Sequence, residues 1–187
     1  MLALYHGNAL EVSMALYRFG KRQPKVDTGA YVSDSARVIG DVTIGEDCYI
    51  GHGVILRGDY GSIAIGPGTA IEENAVVHIK PDGLIQIGER VTVGHGAVVH
   101  GKIIGDYAVI GMGSVICFEV EIGNWSIVAE GCVVPNGQVI PANKMVIGVP
   151  AKIVNDITEE QKEFWRWGKQ LYVDLAHQYP QALERID

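Results

Sequence analysis

Paired cysteines are missing from this 187-residue chain. Cys48, Cys117 and Cys132 are odd in number and none stands in a CxxC spacing, which excludes a disulfide framework and a thiolate zinc site and leaves reduced, buried thiols as the expectation. Excess basic charge is missing too. Fifteen Lys and Arg against 22 Asp and Glu give a formal charge of −7, so there is no electrostatic footprint for nucleic acid or for an acidic membrane surface. No apolar run approaches the roughly 18 residues of a membrane span. Residues 1–13 lack the basic start and long apolar stretch of a secretory signal, so a soluble, cytoplasmic protein is expected. Met14 is a second candidate start, which would make residues 1–13 an upstream extension.

Aromatic residues are also few, at 7%, whereas 24 glycines accompany 53 Ile, Val and Leu. Collagen needs glycine at about one residue in three, and a disordered chain has few large aliphatics, so neither fits. The aliphatics recur every six residues: Val32, Val38, Ile44, Ile50 and Leu56, then Ile65, Ile71 and Val77, then Ile87, Val93 and Val99, then Ile104, Ile110, Ile116, Ile122, Val128 and Val134. Glycine often follows the marked residue, as at Gly45, Gly66, Gly94 and Gly111, and the fourth residue after it is mostly small, as at Ala36, Cys48, Ala97 and Ser114. A helix would repeat near every 3.6 residues and avoid this much glycine and β-branching. Short strands joined by tight turns fit, with the aliphatic pointing into a narrow core, the small residue beside it and glycine taking positive φ in the turn. Such hexapeptides build an all-β parallel β-helix, three rungs to a coil.

The pattern divides the chain into an N-terminal extension and short strand over residues 1–24, the hexapeptide-repeat β-helix over 25–154, and a C-terminal α-helix and tail over 155–187. Residues 15–17 are expected as a short edge strand. The helix is expected over residues 158–179, opened by a capping box of Thr158 and Gln161, carrying a stripe of Phe164, Trp167, Leu171 and Leu175, and stopped by Pro180.

Equivalent rung positions stack in columns about 4.8 Å apart. Arg57 follows Leu56, His78 follows Val77 and His100 follows Val99, and each of those marks lies three rungs from the next. The three residues therefore share one column on successive coils, close enough for the two imidazoles to share a metal. His95 stands two places after Val93, on another corner. Three-fold packing of prisms would bring it beside His78 and His100 of the next chain, giving three histidines and one open position, a catalytic zinc-type site that Fe(II) or Co(II) also suits. His6, His52 and His177 read as surface or turn residues.

Arg57-Gly58-Asp59, His78, the run from Gly94 to Gly101 that contains His95 and His100, and Ile110-Gly111-Met112-Gly113 together resemble the γ-class carbonic anhydrase family. The resemblance implies a left-handed β-helix, a homotrimer and reversible hydration of CO2 to bicarbonate, a lyase reaction in which a metal makes hydroxide available near neutral pH. It implies one Zn, Fe(II) or Co(II) per subunit interface, bound by His78 and His100 of one subunit and His95 of its neighbour. Arg57 and Asp59 match a family pair, implied to be an ion pair across the subunit boundary that orders the site or simply braces the trimer.

The chain departs from the family where Asn-x-Gln-Asp becomes Ala70-Ile71-Glu72-Glu73. Glu72 replaces an amide near the reacting water and would act as acceptor, proton carrier or general base, or would raise the water's pKa and blunt turnover. Glu73 shares a column with His95 and would orient its ring or stand solvated in a turn. Tyr172 would approach the site or pack in the core. The path from Asp59 to Ile65 is short and lacks the acidic loop of the family's prototype subclass. Three functions follow: a metal-dependent hydratase using Arg57, Asp59, Glu72 and Glu73 as catalytic groups, a structural or regulatory metal-binding trimer without turnover, and a hexapeptide-repeat acyltransferase.

Overall fold

The computed structural model describes residues 14–186; residues 1–13, including the possible upstream extension and His6, lie outside the described residues. The chain forms a left-handed β-solenoid of about seven coils closed by one C-terminal helix. Pairing between coils is parallel and follows the six-residue register: Val77 lies opposite Leu56 and Val99, and Ile116 opposite Val99 and Val134. The marked aliphatics from Val32 through Val134 all point inward, none more than 3% exposed. Small residues such as Ala36, Cys48, Ala97 and Ser114 fill the space beside them and are fully buried. The period also runs on past Val134, through Ile140 and Val146, both in the core.

The glycines that follow the marks have a different task from the one expected. Positive φ falls instead at the third residue after the mark, at Gly96 and Gly113 but also at Asp47, Asn74, Arg90, Tyr107 and Trp125. Gly66 is needed because coils stack so closely: a Cβ there would stand 2.6 Å from the Gly88 carbonyl carbon on the next coil. The repeat therefore spends its glycines on vertical clearance, while the left-handed corner accepts larger residues. Tyr107 and Trp125 occupy that corner on successive coils and stack with ring centroids 4.4 Å apart.

Residues Leu16–Tyr17 form the expected edge strand, parallel to Val38 and Ile39. The repeat's first interruption lies within one continuous strand, Ile55–Ile65, whose pairing shifts register beside Gly40. A second interruption is a turn that leads from Val76–His78 into Leu84–Ile87. The last strand, Lys152–Asp156, turns back antiparallel on Lys144–Ile147. All three cysteines are free; Cys48 and Cys132 are buried as expected, but Cys117 is only half-buried, because its place after Ile116 points it outward.

The helix spans Glu159–Ala182 and opens on the expected reciprocal cap, with the Gln161 N–H donating to Thr158 Oγ1 at 3.2 Å and the Thr158 N–H to Gln161 Oε1 at 2.9 Å. Pro180 does not stop it. The proline sits inside the last turn, where its missing N–H costs one backbone bond to the preceding turn. Of the expected stripe only Leu175 packs toward the coil, while Phe164, Trp167 and Leu171 are exposed. The face that meets the coil is Trp165, Lys169, Tyr172, Val173, Ala176 and Tyr179, packed on Tyr31, Tyr49, Ala70 and Thr92. A lysine at the centre of that face breaks the apolar pattern by which it would be recognised.

Substituting Gly66 with Ala is expected to cost about 1–3 kcal/mol, since the added methyl meets backbone that cannot rotate away. The urea unfolding midpoint measures it, and an unchanged midpoint would contradict the clearance argument.

Candidate metal centre

Parallel pairing brings the column together as the spacing requires. Arg57 lies opposite His78, and the pairing of Val77 with Val99 sets His100 above it. The two imidazoles meet edge to face with centroids 5.1 Å apart, and the Phe118 ring closes on His100 at 4.7 Å. His78 Nε2 and His100 Nδ1 are buried and have no hydrogen-bond partner. Two such orphaned nitrogens on neighbouring coils are costly to leave bare and fit a divalent ion, which takes neutral imidazoles. Burial, reinforced by the Arg57 charge, holds both rings below the ordinary histidine pKa, with each ring's neutral form favoured.

Arg57 and Asp59 meet within the chain, Nη1 to Oδ2 at 3.0 Å. They stand two residues apart on the Ile55–Ile65 strand, so both project from the same side and reach one another directly. The other Asp59 oxygen accepts the Tyr60 N–H at 3.0 Å and lies 3.7 Å from His78 Nε2.

His95 occupies a different corner and is gripped by both glutamates. Glu73 Oε2 is 2.8 Å from its Nδ1, and Glu72 Oε2 is 3.1 Å from its Nε2 and accepts its backbone N–H at 3.2 Å. Glu73 also accepts the Tyr49 hydroxyl at 2.8 Å. Burial works to raise the Glu73 pKa, but its own backbone N–H, the Tyr49 hydroxyl and the His95 charge outweigh it and hold the carboxylate low. Tyr49 escaped the sequence reading; it sits one place before Ile50 and faces the helix, and no repeat rule marks that position as polar. Tyr172 packs on Tyr49 at 5.4 Å, and its hydroxyl faces Glu72. Ala70 is buried beneath the helix and adds no polar group.

The remaining histidines stand apart. His52 Nδ1 meets Ser33 Oγ at 2.7 Å, and His177 pairs with Asp47 at 3.0 Å. Among the described residues no group of three or more His, Cys, Asp or Glu can hold a metal within one chain. Beside His100 a cleft of about 260 Å³ opens between Ile79, Leu84, Ile103 and Phe118. No helix among the described residues is long and apolar enough to cross a membrane.

No protein-family model matches the chain. It is 37% identical over 161 residues to gamma carbonic anhydrase 2, mitochondrial, of Arabidopsis thaliana, covering 83% of this chain and 58% of the relative. It is 38% identical over 170 residues to the carnitine operon protein CaiE of Proteus sp. (strain LE138), covering 91% of this chain and 86% of the relative. The chain belongs to the γ-class carbonic anhydrase family. This carbonic anhydrase family member thus spans 58% of the length of the Arabidopsis protein. Its coil also superposes on a solved hexapeptide transferase family protein of Anaplasma phagocytophilum with a TM-score of 0.84 at 34% identity, covering 88% and 98% of the two chains. The family's coil therefore occurs under names from two chemistries, and the side chains must separate them.

In metal-free protein the His78 and His100 ring resonances are expected to titrate below the ordinary value of about 6.5. Since the unfolded chain then binds protons more readily than the native one, stability is full above that value and falls as pH drops below it. Urea midpoints between pH 7.5 and pH 5 check this, and a midpoint that rises toward pH 5 would contradict it.

Proposed function

We propose that this chain is a metal-dependent hydratase of the γ-carbonic anhydrase type that interconverts CO2 and bicarbonate at sites shared between copies of a homotrimer. The observation that carries the reading is the pair of buried nitrogens without a hydrogen-bond partner, His78 Nε2 and His100 Nδ1, on adjacent coils. Two imidazoles from one chain leave a zinc-type site one ligand short, and His95 on a separate corner is the residue with the right chemistry to complete it from a neighbouring copy. Zn, Fe(II) or Co(II) suits this donor set. A bound ion of this kind lowers the pKa of water to about 7, which makes hydroxide available for attack on CO2.

The chain's own residues supply the rest. Glu73, on His95 Nδ1, would hold the ring in the tautomer whose Nε2 faces a metal, and the Glu72 carboxylate, 3.1 Å from that Nε2, would give up this place to the ion. Turned from His95, Glu72 would serve as the proton acceptor of the site. Asp59 holds Arg57 beside the histidine column, where the guanidinium offers charge-assisted hydrogen bonds to bicarbonate.

A second reading, acyl transfer, is supported by the likeness to the hexapeptide transferase family protein. The chain's longest interruption between rungs, from Val77 to Ile87, is a short turn and strand rather than an extended loop to cover a coenzyme. A metal-holding trimer without turnover is the third.

Stopped-flow CO2 hydration on anaerobically prepared, zinc- or iron-loaded protein separates them. Turnover above background, with no thiol released from acetyl-CoA by the same sample, is expected; full metal occupancy without hydration would favour the third reading, and thiol release the second. His95→Ala should lose retained metal, and with it hydration, while circular dichroism still shows the coil. Retention of one metal per subunit in that variant would overturn the shared site.

A further inference from the structure

Lys169 is the one buried cation of the helix face that meets the coil, 1% exposed. Its Nζ donates to Thr92 Oγ1 and to the Ala108 carbonyl, each at 3.0 Å, and lies 5.4 Å from the Trp165 ring. All three neighbours are neutral. Glu72 is the buried carboxylate of the same layer: its side chain is 8% exposed, and one oxygen lies 3.1 Å from His95 Nε2. A buried charge left unbalanced is costly, so the Lys169 ammonium needs a counter-charge within the same low-dielectric layer.

The topology puts them there together. Thr92, which holds the Lys169 ammonium, pairs in register with Ala70, and Glu72 follows two residues along Ala70's strand, its N–H donating to the Val93 carbonyl at 2.9 Å. One helical turn on from Lys169, the Tyr172 hydroxyl faces the same carboxylate.

We propose that Lys169 is a positioning residue whose buried ammonium balances the Glu72 carboxylate and, with Tyr172, fixes where that carboxylate stands against His95. The helix then becomes a wall of the site as well as a cover for the coil. Burial lowers the Lys169 pKa to about 7, and the Glu72 carboxylate is the charge that pulls it back up. The alternative is that Lys169 only anchors the helix through Thr92 and Ala108, in which case its removal is indifferent to what stands at position 72. The inference rests on the metal-centre reading only for the use made of His95.

A melting-temperature cycle over Lys169→Met, Glu72→Gln and the double variant, made without added metal or substrate, tests the pair separately from hydration. Lys169→Met is expected to lower the melting temperature by roughly 6–20 °C, the range for one partner of a buried pair lost in a chain of this size. The double variant is expected to recover to within about 3 °C of the parent, because neither charge is then left alone. If Lys169→Met does not fold, the double variant still should. His95 ring nitrogen shifts should move in the folded single variant and return in the double. Additive losses, a double variant that also fails to fold, or His95 shifts unmoved in Lys169→Met would overturn the proposal.

Discussion

Every coil hands its backbone hydrogen bonds to the coil above, with Val76 and Val77 opposite Val98 and Val99, and these in turn opposite Val115 and Ile116. This parallel register at about 4.8 Å spacing is what the rest of the molecule depends on. It converts a six-residue period in sequence into a vertical column in space. It demands glycine at Gly66, where the next coil leaves no room for a Cβ. It also sets His78 directly beneath His100, whatever the surrounding turns do. The chemistry is thus placed by backbone pairing, the least deformable part of the fold.

On the neighbouring corner the control is different. His95 owes its position to carboxylates, Glu73 on one ring nitrogen and Glu72 on the other, with Tyr49 bracing Glu73 and Tyr172 facing Glu72. Both tyrosines belong to the layer between coil and helix. The helix docks over Tyr31, Tyr49 and Ala70, so its packing and the orientation of His95 are one problem. Two halves of the proposed divided site are therefore held by two devices: strand register for the histidine pair, and a buried polar layer for the third histidine.

These two devices differ in how far the sequence discloses them. The column of Arg57, His78 and His100 was legible because register depends on counting residues along the repeat, and the aliphatic marks make the count unambiguous. The capping box at Thr158 was legible for the same reason, since its bonds join residues three apart. Contacts that depend on side-chain reach were not. Arg57 and Asp59 meet on one strand, a contact that the repeat count does not mark. The buried helix face was misassigned because Lys169 interrupts it, and a lysine in a helical pattern normally marks the solvent side. The glycines were assigned to positive φ when the corner that has it accepts Tyr107 and Trp125.

The central claim is that a complete metal centre requires His78 and His100 from one subunit and His95 from another. The most direct measurement is metal content in mixed oligomers made by co-expressing a His95→Ala chain with a chain carrying His78→Ala and His100→Ala, each with its own purification tag. Neither variant alone should retain metal, whereas doubly tagged trimers should regain about one ion each, because one interface in three then has an intact donor set. Mixed trimers without metal, or either variant retaining it alone, would contradict the account.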